Sequence, residues 1–297
     1  MSTDDTTREL PTTRTDDPGR PGRPGEPTRA GRPGRTILVG ISALLVGASA
    51  VGPAFGYVQG RDDGQPIDES GTTAATSFAI DADRADVTIV RTDGDEIEWS
   101  VTGGRATTRV ELTEDGDTAR LEVDDAREIW LDVGPSFDVS WMGSAVTPTA
   151  RVTLAVPEGT DIDVANDFGQ LEAEDVALGD LGVSASFGSV RVSGSAENLD
   201  LELDYGDATA TDLAVTGTIE IYSDFGDVEL RSPEVPAAVD VESSFGDVTV
   251  ALPPANYSVS HTSDLGEASD RLEKNGDGDP VPVRLHTSFG AVTAETY

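Results

Sequence analysis

Few residues in this chain have the chemistry for catalysis or metal binding, and the histidines and cysteines are the first to consider. The 297 residues include no cysteine and only two histidines, His261 and His286. Cysteine zinc sites, iron–sulfur clusters, disulfides and thiol catalysis are therefore excluded. A histidine-built metal site or a catalytic triad needs more such groups than this chain supplies.

Two short segments spell the Asp-Phe-Gly motif that binds magnesium in protein kinases. They are residues 167–169 and 224–226. Neither accompanies a glycine-rich phosphate loop or a His-Arg-Asp loop, and both fall inside a repeat. No Gly-x-Ser-x-Gly elbow occurs, and no carboxylate pair stands out from the acidic background. The sequence therefore predicts no enzymatic activity and no catalytic or cofactor-binding residues.

Acidic residues dominate the composition. The chain has 56 Asp and Glu against 20 Lys and Arg, a net charge of -36. A field of this sign repels phosphate backbones, which excludes nucleic acid as a partner.

A hydrophobic residue followed by glycine recurs seven times, at spacings of 18 to 24 residues. Six, four and two residues before the ring position, side chains are mostly apolar or small, which is the alternation of a β-strand. The inward set resumes three residues after the ring position, and this phase shift at a glycine predicts a corner. The seven pairs are Phe168-Gly169, Phe187-Gly188, Tyr205-Gly206, Phe225-Gly226, Phe245-Gly246, Leu265-Gly266 and Phe289-Gly290.

The repeat predicts an all-β fold, a single-stranded β-solenoid or β-helix with rungs of 18–20 residues. Each rung would be a strand, a glycine corner and a second strand, and the stacked rungs would share one thin core. We expect the ring column to face that core, so that Phe225 behaves as a core aromatic. His261 would lie inside, between Val241 and Leu285, and His286 would point outward. The alternative is a β-sandwich of hairpins, which also alternates but rarely repeats one aromatic-glycine corner at a fixed period.

Polar columns flank the ring column on both sides. Asp207, Asp227 and Asp247 would stack about 4.8 Å apart. Ca²⁺ could bridge such carboxylates through their oxygens, and it is the one cofactor that the sequence leaves open. The alternative is a solvated edge whose Asp side chains accept hydrogen bonds from nearby backbone N–H groups.

The N-terminal region predicts a membrane anchor. Residues 1–35 are rich in Pro, Gly and Arg and are predicted to be a disordered cytoplasmic tail. Residues 36–60 carry no charge, and 22 of them would span about 33 Å as a helix, enough for the hydrocarbon core of a bilayer. Five Arg and one Glu in residues 18–35 predict that the N-terminus stays inside. The alternative is a signal sequence cleaved after the small residues 48–50.

The rest of the chain is predicted to lie outside the cytoplasm in three segments. Residues 61–77 read as a linker, residues 78–160 as an irregular β cap, and residues 161–297 as the solenoid repeats. Residues 61–297 hold 13 basic and 50 acidic residues, so the acidity belongs to this part of the chain.

The order of these features resembles a bacterial putative-adhesin family of unknown function. The resemblance rests on the anchor, a Val-Pro-Glu-Gly step at residues 156–159, and repeated (Asp/Ser)-Phe-Gly-x-Val units. It covers about residues 78–297 and implies an exported, surface-associated protein with a solenoid-like repeat. It supplies no catalytic residues.

The sequence thus favours a non-enzymatic, membrane-anchored cell-surface protein that presents an acidic β-solenoid for adhesion or protein interaction. Its partners would be the membrane, through residues 36–60, and an envelope protein or surface ligand. The main alternative is a membrane-tethered extracytoplasmic sensor or regulatory partner. A polysaccharide-active β-helix enzyme is a third, less favoured reading.

Overall fold

All regular structure in the described part of the chain is β-strand. The computed structural model describes residues 66–104, 108–125 and 150–297. The predicted tail, membrane segment and most of the linker lie outside these residues, as does a stretch of the predicted cap. Within the described residues no helix has the length and apolarity to cross a membrane. The strands are β1 (Ile67–Thr73), β2 (Ser77–Arg91), β3 (Ile97–Gly103), β4 (Thr108–Asp115), β5 (Thr118–Asp125), β6 (Ala150–Val156), β7 (Thr160–Phe168), β8 (Leu171–Phe187), β9 (Val190–Ala196), β10 (Asn198–Tyr205), β11 (Ala208–Val215), β12 (Thr218–Phe225), β13 (Val228–Arg231), β14 (Ala238–Phe245), β15 (Val248–Leu252), β16 (Tyr257–Leu265), β17 (Ala268–Arg271), β18 (Val281–Phe289) and β19 (Val292–Thr296).

The repeats form parallel rungs, each with one strand before the glycine corner and one after it. We call the sheet of strands before the corner sheet I and the sheet of strands after it sheet II. In sheet I, β7, β8, β10, β12 and β14 pair side by side in parallel. In sheet II, β8, β9, β11, β13 and β15 do the same. β8 is long enough to belong to both sheets. These parallel rungs confirm the predicted all-β, solenoid-like repeat.

Alternating Val, Leu, Ile and Ala residues fill the space between the two sheets. In β10, for example, Leu199, Leu201 and Leu203 are buried, while Asp200 and Glu202 face outward. Because every rung repeats this alternation in register, each inward residue stacks on the equivalent residue of the next rung. One continuous apolar core results, as stacked repeats require.

An additional rung precedes the seven repeats that the aromatic-glycine pattern marks. β2 pairs in parallel with β7, so that Phe78 lies beside Ile162 and Arg84 lies beside Phe168. The chain of β2 then continues into sheet II and pairs with β8. Residues 77–91 thus form a rung although they carry arginine where the seven repeats carry a ring or, once, a leucine. Antiparallel pairs β4–β5 in sheet I and β1–β3–β6 in sheet II lie beyond this rung.

The last two repeats are stacked in reverse chain order. β18 pairs with β14 on one side and with β16 on the other, and β19 likewise lies between β15 and β17. The prediction that His261 lies between Val241 and Leu285 is therefore wrong: Leu285 lies between Val241 and His261.

Burial explains why the final repeat takes the inner place. Val283, Leu285, Val292 and Ala294 of β18 and β19 are all at most 1% exposed. The inward positions of β16 carry a histidine, a serine and a valine, which are only half-buried. The more polar rung takes the end of the stack, where Ser263 donates its hydroxyl to the Gly290 carbonyl oxygen at 2.7 Å.

Candidate functional site

The glycine corners bring successive rungs into close backbone contact. At Gly226 the backbone φ is +147°, a region that residues with a side chain rarely adopt. A Cβ on Gly226 would lie 2.0 Å from the carbonyl oxygen of Gly206 in the rung before it. The N–H of Gly226 in turn donates to the carbonyl oxygen of Phe245 in the next rung, at 2.9 Å. Only glycine fits this corner, and the tight spacing places the preceding side chains face to face.

Six aromatic rings stack along this edge of the molecule. We call them the aromatic ladder. Neighbouring ring centroids lie 4.7–5.0 Å apart, and the ring planes differ by only 1–5°. Leu265 stands in the same column beside Phe289, at the end of the stack. The ladder consists, in stacking order, of Phe168, Phe187, Tyr205, Phe225, Phe245 and Phe289.

The prediction that the ring column faces the core is wrong. Phe225 is 41% exposed, the other rings from Phe187 onward are 43–47% exposed, and Leu265 is 63% exposed. The chain leaves the strand alternation one residue earlier than the sequence pattern indicated. Register passes directly from the Leu203–Ser223 pair to the Tyr205–Phe225 pair, so the residue between them is skipped.

The faces of the rings are largely covered, so the ladder offers ring edges to solvent. Each internal ring is stacked on both sides. At the first end the guanidinium of Arg84 lies 5.5 Å from the Phe168 ring centroid, which is cation–π geometry. A sugar ring therefore finds no open aromatic face between the rungs to stack on.

One column of carboxylates borders the ladder on the side after the corner. We call Asp207, Asp227 and Asp247 the trailing rim. The Oδ1 atom of Asp207 accepts a hydrogen bond from the N–H of Asp227 at 3.0 Å, and Asp227 Oδ1 accepts from the N–H of Asp247 at 2.8 Å. Asp247 Oδ1 accepts from the N–H of Ala291 at 2.7 Å, since the final repeat stacks there.

Each carboxylate of the trailing rim accepts a backbone hydrogen bond from the next rung. The carboxylates therefore do not converge on one point. Calcium requires roughly six or more oxygens around one ion. Among the residues that the structure describes, no three or more His, Asp or Glu side chains are grouped to hold a metal ion. The geometry matches the hydrogen-bonded edge that the sequence left as the alternative.

A second polar column borders the ladder on the side before the corner. We call Asp167, Asp204 and Asp224 the leading rim; serines occupy the same column in the intervening rungs. Asp224 Oδ1 accepts from the hydroxyl of Tyr222 at 2.6 Å and from that of Ser244 at 3.2 Å. The bond to Asp224 raises the pKa of the Tyr222 hydroxyl. Partial burial, followed by the charges of Asp83 and Asp81, raises the pKa of Asp167.

Further carboxylates lie on the outer face of sheet I, away from the ladder. Asp200, Glu220 and Asp240 stand side by side in register on β10, β12 and β14. Arg284 of β18 continues this column and lies 3.7 Å from Asp240. Burial raises the pKa of Asp163, which a nearby Arg120 lowers to a smaller extent.

The two histidines do not form a common site. His286 lies on the outer face of sheet I, as predicted, with its Nδ1 atom 3.0 Å from the hydroxyl of Thr262. His261 faces the interior from the neighbouring strand β16. The chain thus presents neither a histidine pair nor a histidine–carboxylate cluster at these positions.

Sequence reasoning missed a shallow cavity on sheet II. Its volume is about 500 Å³. Tyr297 donates its hydroxyl to Asp212 at 2.6 Å there, and Arg231 pairs with Glu229 at 2.8 Å. Polar groups in this cavity are thus largely satisfied by one another. No sequence signal marked it, because β11, β13, β15 and β19 contribute one or two residues each.

The fold and the ladder together define a class: an acidic, repeat-built β protein with an exposed aromatic edge. The chain belongs to the Toastrack DUF4097 family, which it matches over residues 75–296. No curated protein matches it. This match confirms the expected resemblance to a bacterial family of unknown function.

Several solved structures resemble the chain at low identity. A putative cell adhesion protein from Clostridium sporogenes is 10% identical with a TM-score of 0.37, covering 78% of this chain and 100% of its own. A putative adhesin from Bacteroides fragilis is 14% identical with a TM-score of 0.36, covering 78% and 97%. A putative lipid binding protein from Parabacteroides distasonis is 12% identical with a TM-score of 0.30, covering 79% and 98%.

Proposed function

We propose that this protein is a non-enzymatic, membrane-anchored surface protein whose acidic β-solenoid serves adhesion or protein interaction. The observation that carries the proposal is the aromatic ladder. Six rings in one unbroken strip expose their edges, and two columns of carboxylates border them. Contiguous apolar surface of this kind, rimmed by polar groups, marks interaction sites in soluble proteins.

The repeat architecture supports an interaction role more than a catalytic one. The core, the corner glycines and the rims repeat from rung to rung, so the edge presents the same chemistry several times over. A catalytic site instead needs one place where unlike groups converge. The polysaccharide-active alternative is weakened further because the rings cover one another's faces, which are the surfaces that would stack on sugars.

The membrane anchor and the orientation of the chain are part of the proposal. They rest on the uncharged residues 36–60 and on the five arginines that precede them. In this arrangement the tail stays in the cytoplasm, and the acidic rungs are held outside the membrane.

Tag accessibility on intact cells tests the location. A tag at the C-terminus should be reached by added antibody, whereas a tag at the N-terminus should be reached only after the cells are permeabilised. If the intact mass of the mature protein matches a chain that starts near Val51, the apolar segment is cleaved and the protein has no membrane anchor there.

Crosslinking in the same cells separates the interaction role from the sensor role. An adhesive surface protein should crosslink to several surface components, in amounts that follow their abundance. Recovery of one membrane protein at a fixed stoichiometry would favour the membrane-tethered sensor or regulatory partner.

A further inference from the structure

We propose that the aromatic ladder and its two rims bind an extended, lysine- and arginine-rich segment of a partner protein. Aliphatic stems of the basic side chains would lie across the ring edges, and their charged ends would reach the carboxylates on either side. This inference rests on the proposed interaction function and names the chemistry of the partner.

The dimensions of the ladder fit a single extended strand of peptide. The five centroid separations place the first and last rings about 24 Å apart. An extended chain rises about 3.3 Å per residue, so about seven residues cover that length. Long basic side chains commonly bury their methylene stems on apolar surface while their charged ends stay solvated.

The rim carboxylates have unused capacity for cations. A carboxylate offers about four lone-pair positions, and each trailing-rim residue uses Oδ1 for one backbone bond. Within residues 66–104, 108–125 and 150–297, the ion pairs lie elsewhere: no basic side chain pairs with Asp207, Asp227 or Asp247. All three carboxylates are exposed.

The first rung shows how a basic side chain fits this column. Arg84 occupies the ring position of β2 and places its guanidinium over the Phe168 ring. At this end of the ladder a guanidinium thus already lies against an aromatic ring of the column. A basic partner segment would instead reach the exposed ring edges of the following rungs, because their faces are covered by stacking.

Charge selects this partner over the other candidates for an exposed apolar strip. Residues 61–297 carry 13 basic and 50 acidic residues, and such a field repels anionic lipid headgroups and acidic polysaccharides. A second copy of the chain would bring equally acidic rims together. A basic peptide is the occupant whose charge complements both rims while its stems cover the rings.

Peptide binding to the full-length protein tests this proposal. The protein is placed in nanodiscs of uncharged lipid, and labelled nona-arginine is titrated with anisotropy as the readout. The test variant D207N/D227N/D247N removes three rim charges, and asparagine keeps the Oδ1 acceptor for the neighbouring N–H. The matched control D200N/E220Q/D240N also removes three charges, from the outer face of sheet I.

We expect the two variants to lose different amounts of affinity for nona-arginine. Each exposed ion pair strengthens binding by up to about fivefold, so the rim variant should bind nona-arginine about tenfold or more weakly than the wild type. The control should lose less than about threefold, because its carboxylates lie on the outer face of sheet I, away from the ladder. If both variants lose the same affinity for nona-arginine, binding depends on net charge alone and the ladder is not the binding site.

A ring substitution tests the apolar half of the site. Phe225→Leu keeps an apolar side chain of the kind that Leu265 already places in this column, but it removes the ring edge. With circular dichroism unchanged, this variant should weaken nona-arginine binding severalfold, whereas unchanged affinity would remove the rings from the site. Tag accessibility reports the surface location independently, so a failed peptide titration leaves that part of the proposed function standing.

Discussion

The substitution Gly226→Ala tests whether the glycine corner, more than the apolar core alone, holds the rungs together. The added Cβ would lie 2.0 Å from the Gly206 carbonyl oxygen and 2.5 Å from its carbonyl carbon. A carbon–oxygen contact normally settles at about 3.3 Å or more, so the two rungs would have to separate locally by more than about 1 Å.

The cost follows from three effects at this corner. A φ of +147° costs a residue with a side chain about 1–3 kcal/mol. Separating these two rungs also stretches the bond from the Gly206 N–H to the Phe225 carbonyl oxygen, which has a net value of about 1 kcal/mol. Relief of the steric overlap adds to both, so we expect a loss of about 4 kcal/mol or more, a range reached by few single substitutions.

Urea unfolding of the full-length protein in detergent, followed by circular dichroism, measures this loss. Gly94→Ala is the matched control, because its Cβ would meet only Thr92 Oγ1, at 3.5 Å. The control should stay within about 0.5 kcal/mol of the wild type, as surface substitutions usually do. If Gly226→Ala unfolds within about 1 kcal/mol of this control, the corner geometry does not hold the stack together and the reasoning fails.

Three further predictions address the rings, the rung order and pH. Phe225→Ala should cost about 1–3 kcal/mol, since it removes two stacked ring pairs of about 0.5–1.5 kcal/mol each. If urea unfolding instead shows a loss of about 4–5 kcal/mol in the free energy of unfolding, Phe225 behaves as a core residue. Because the chain has no cysteine, the pair E242C/H286C should form a disulfide under mild oxidation, for these positions are neighbours on β14 and β18. The pair E242C/T262C should not form a disulfide, since β18 lies between these two positions. The opposite result on non-reducing gels would show that the last two repeats stack in chain order. Burial raises the pKa of Asp163, so its ionised form opposes folding at neutral pH; Asp163→Asn should raise the urea midpoint at pH 7. That gain should shrink as the pH falls through the raised pKa toward the ordinary value of 3.8, and a gain that does not depend on pH would contradict a charge-based cause.

Local patterns in the sequence were sufficient to predict the repeat and its corners. Strand alternation shows directly in the side chains before each glycine, because successive residues of a strand point to opposite faces. A glycine at a fixed place in every repeat marks a backbone that no other residue adopts easily. The trailing rim followed from the same reasoning, since Asp207, Asp227 and Asp247 occupy equivalent places in consecutive rungs.

Exposure of the rings was not predictable from alternation alone. The pattern placed Phe225 on the inner side, whereas the last inward residue before the corner is Ser223 and the ring lies exposed at the outer edge. Aromatic side chains are usually read as core because they are apolar. Here stacking between neighbouring rings covers their faces, so the strip remains partly shielded from water while its edges stay exposed.

The sequence by itself determined the period, the corner glycines and the acidic columns, because each depends on residues close together in the chain. The tertiary structure decided which repeats are neighbours. β18 lies against β14 because the final repeat has the more apolar inward side chains and a ring that extends the stack, at 4.7 Å from Phe245. The repeat with His261 and Leu265 takes the end of the stack, where His261 is only half-buried and Leu265 is exposed. Both repeats fit the same columns, so their order depends on the burial free energy of the assembled stack, which chain order does not encode.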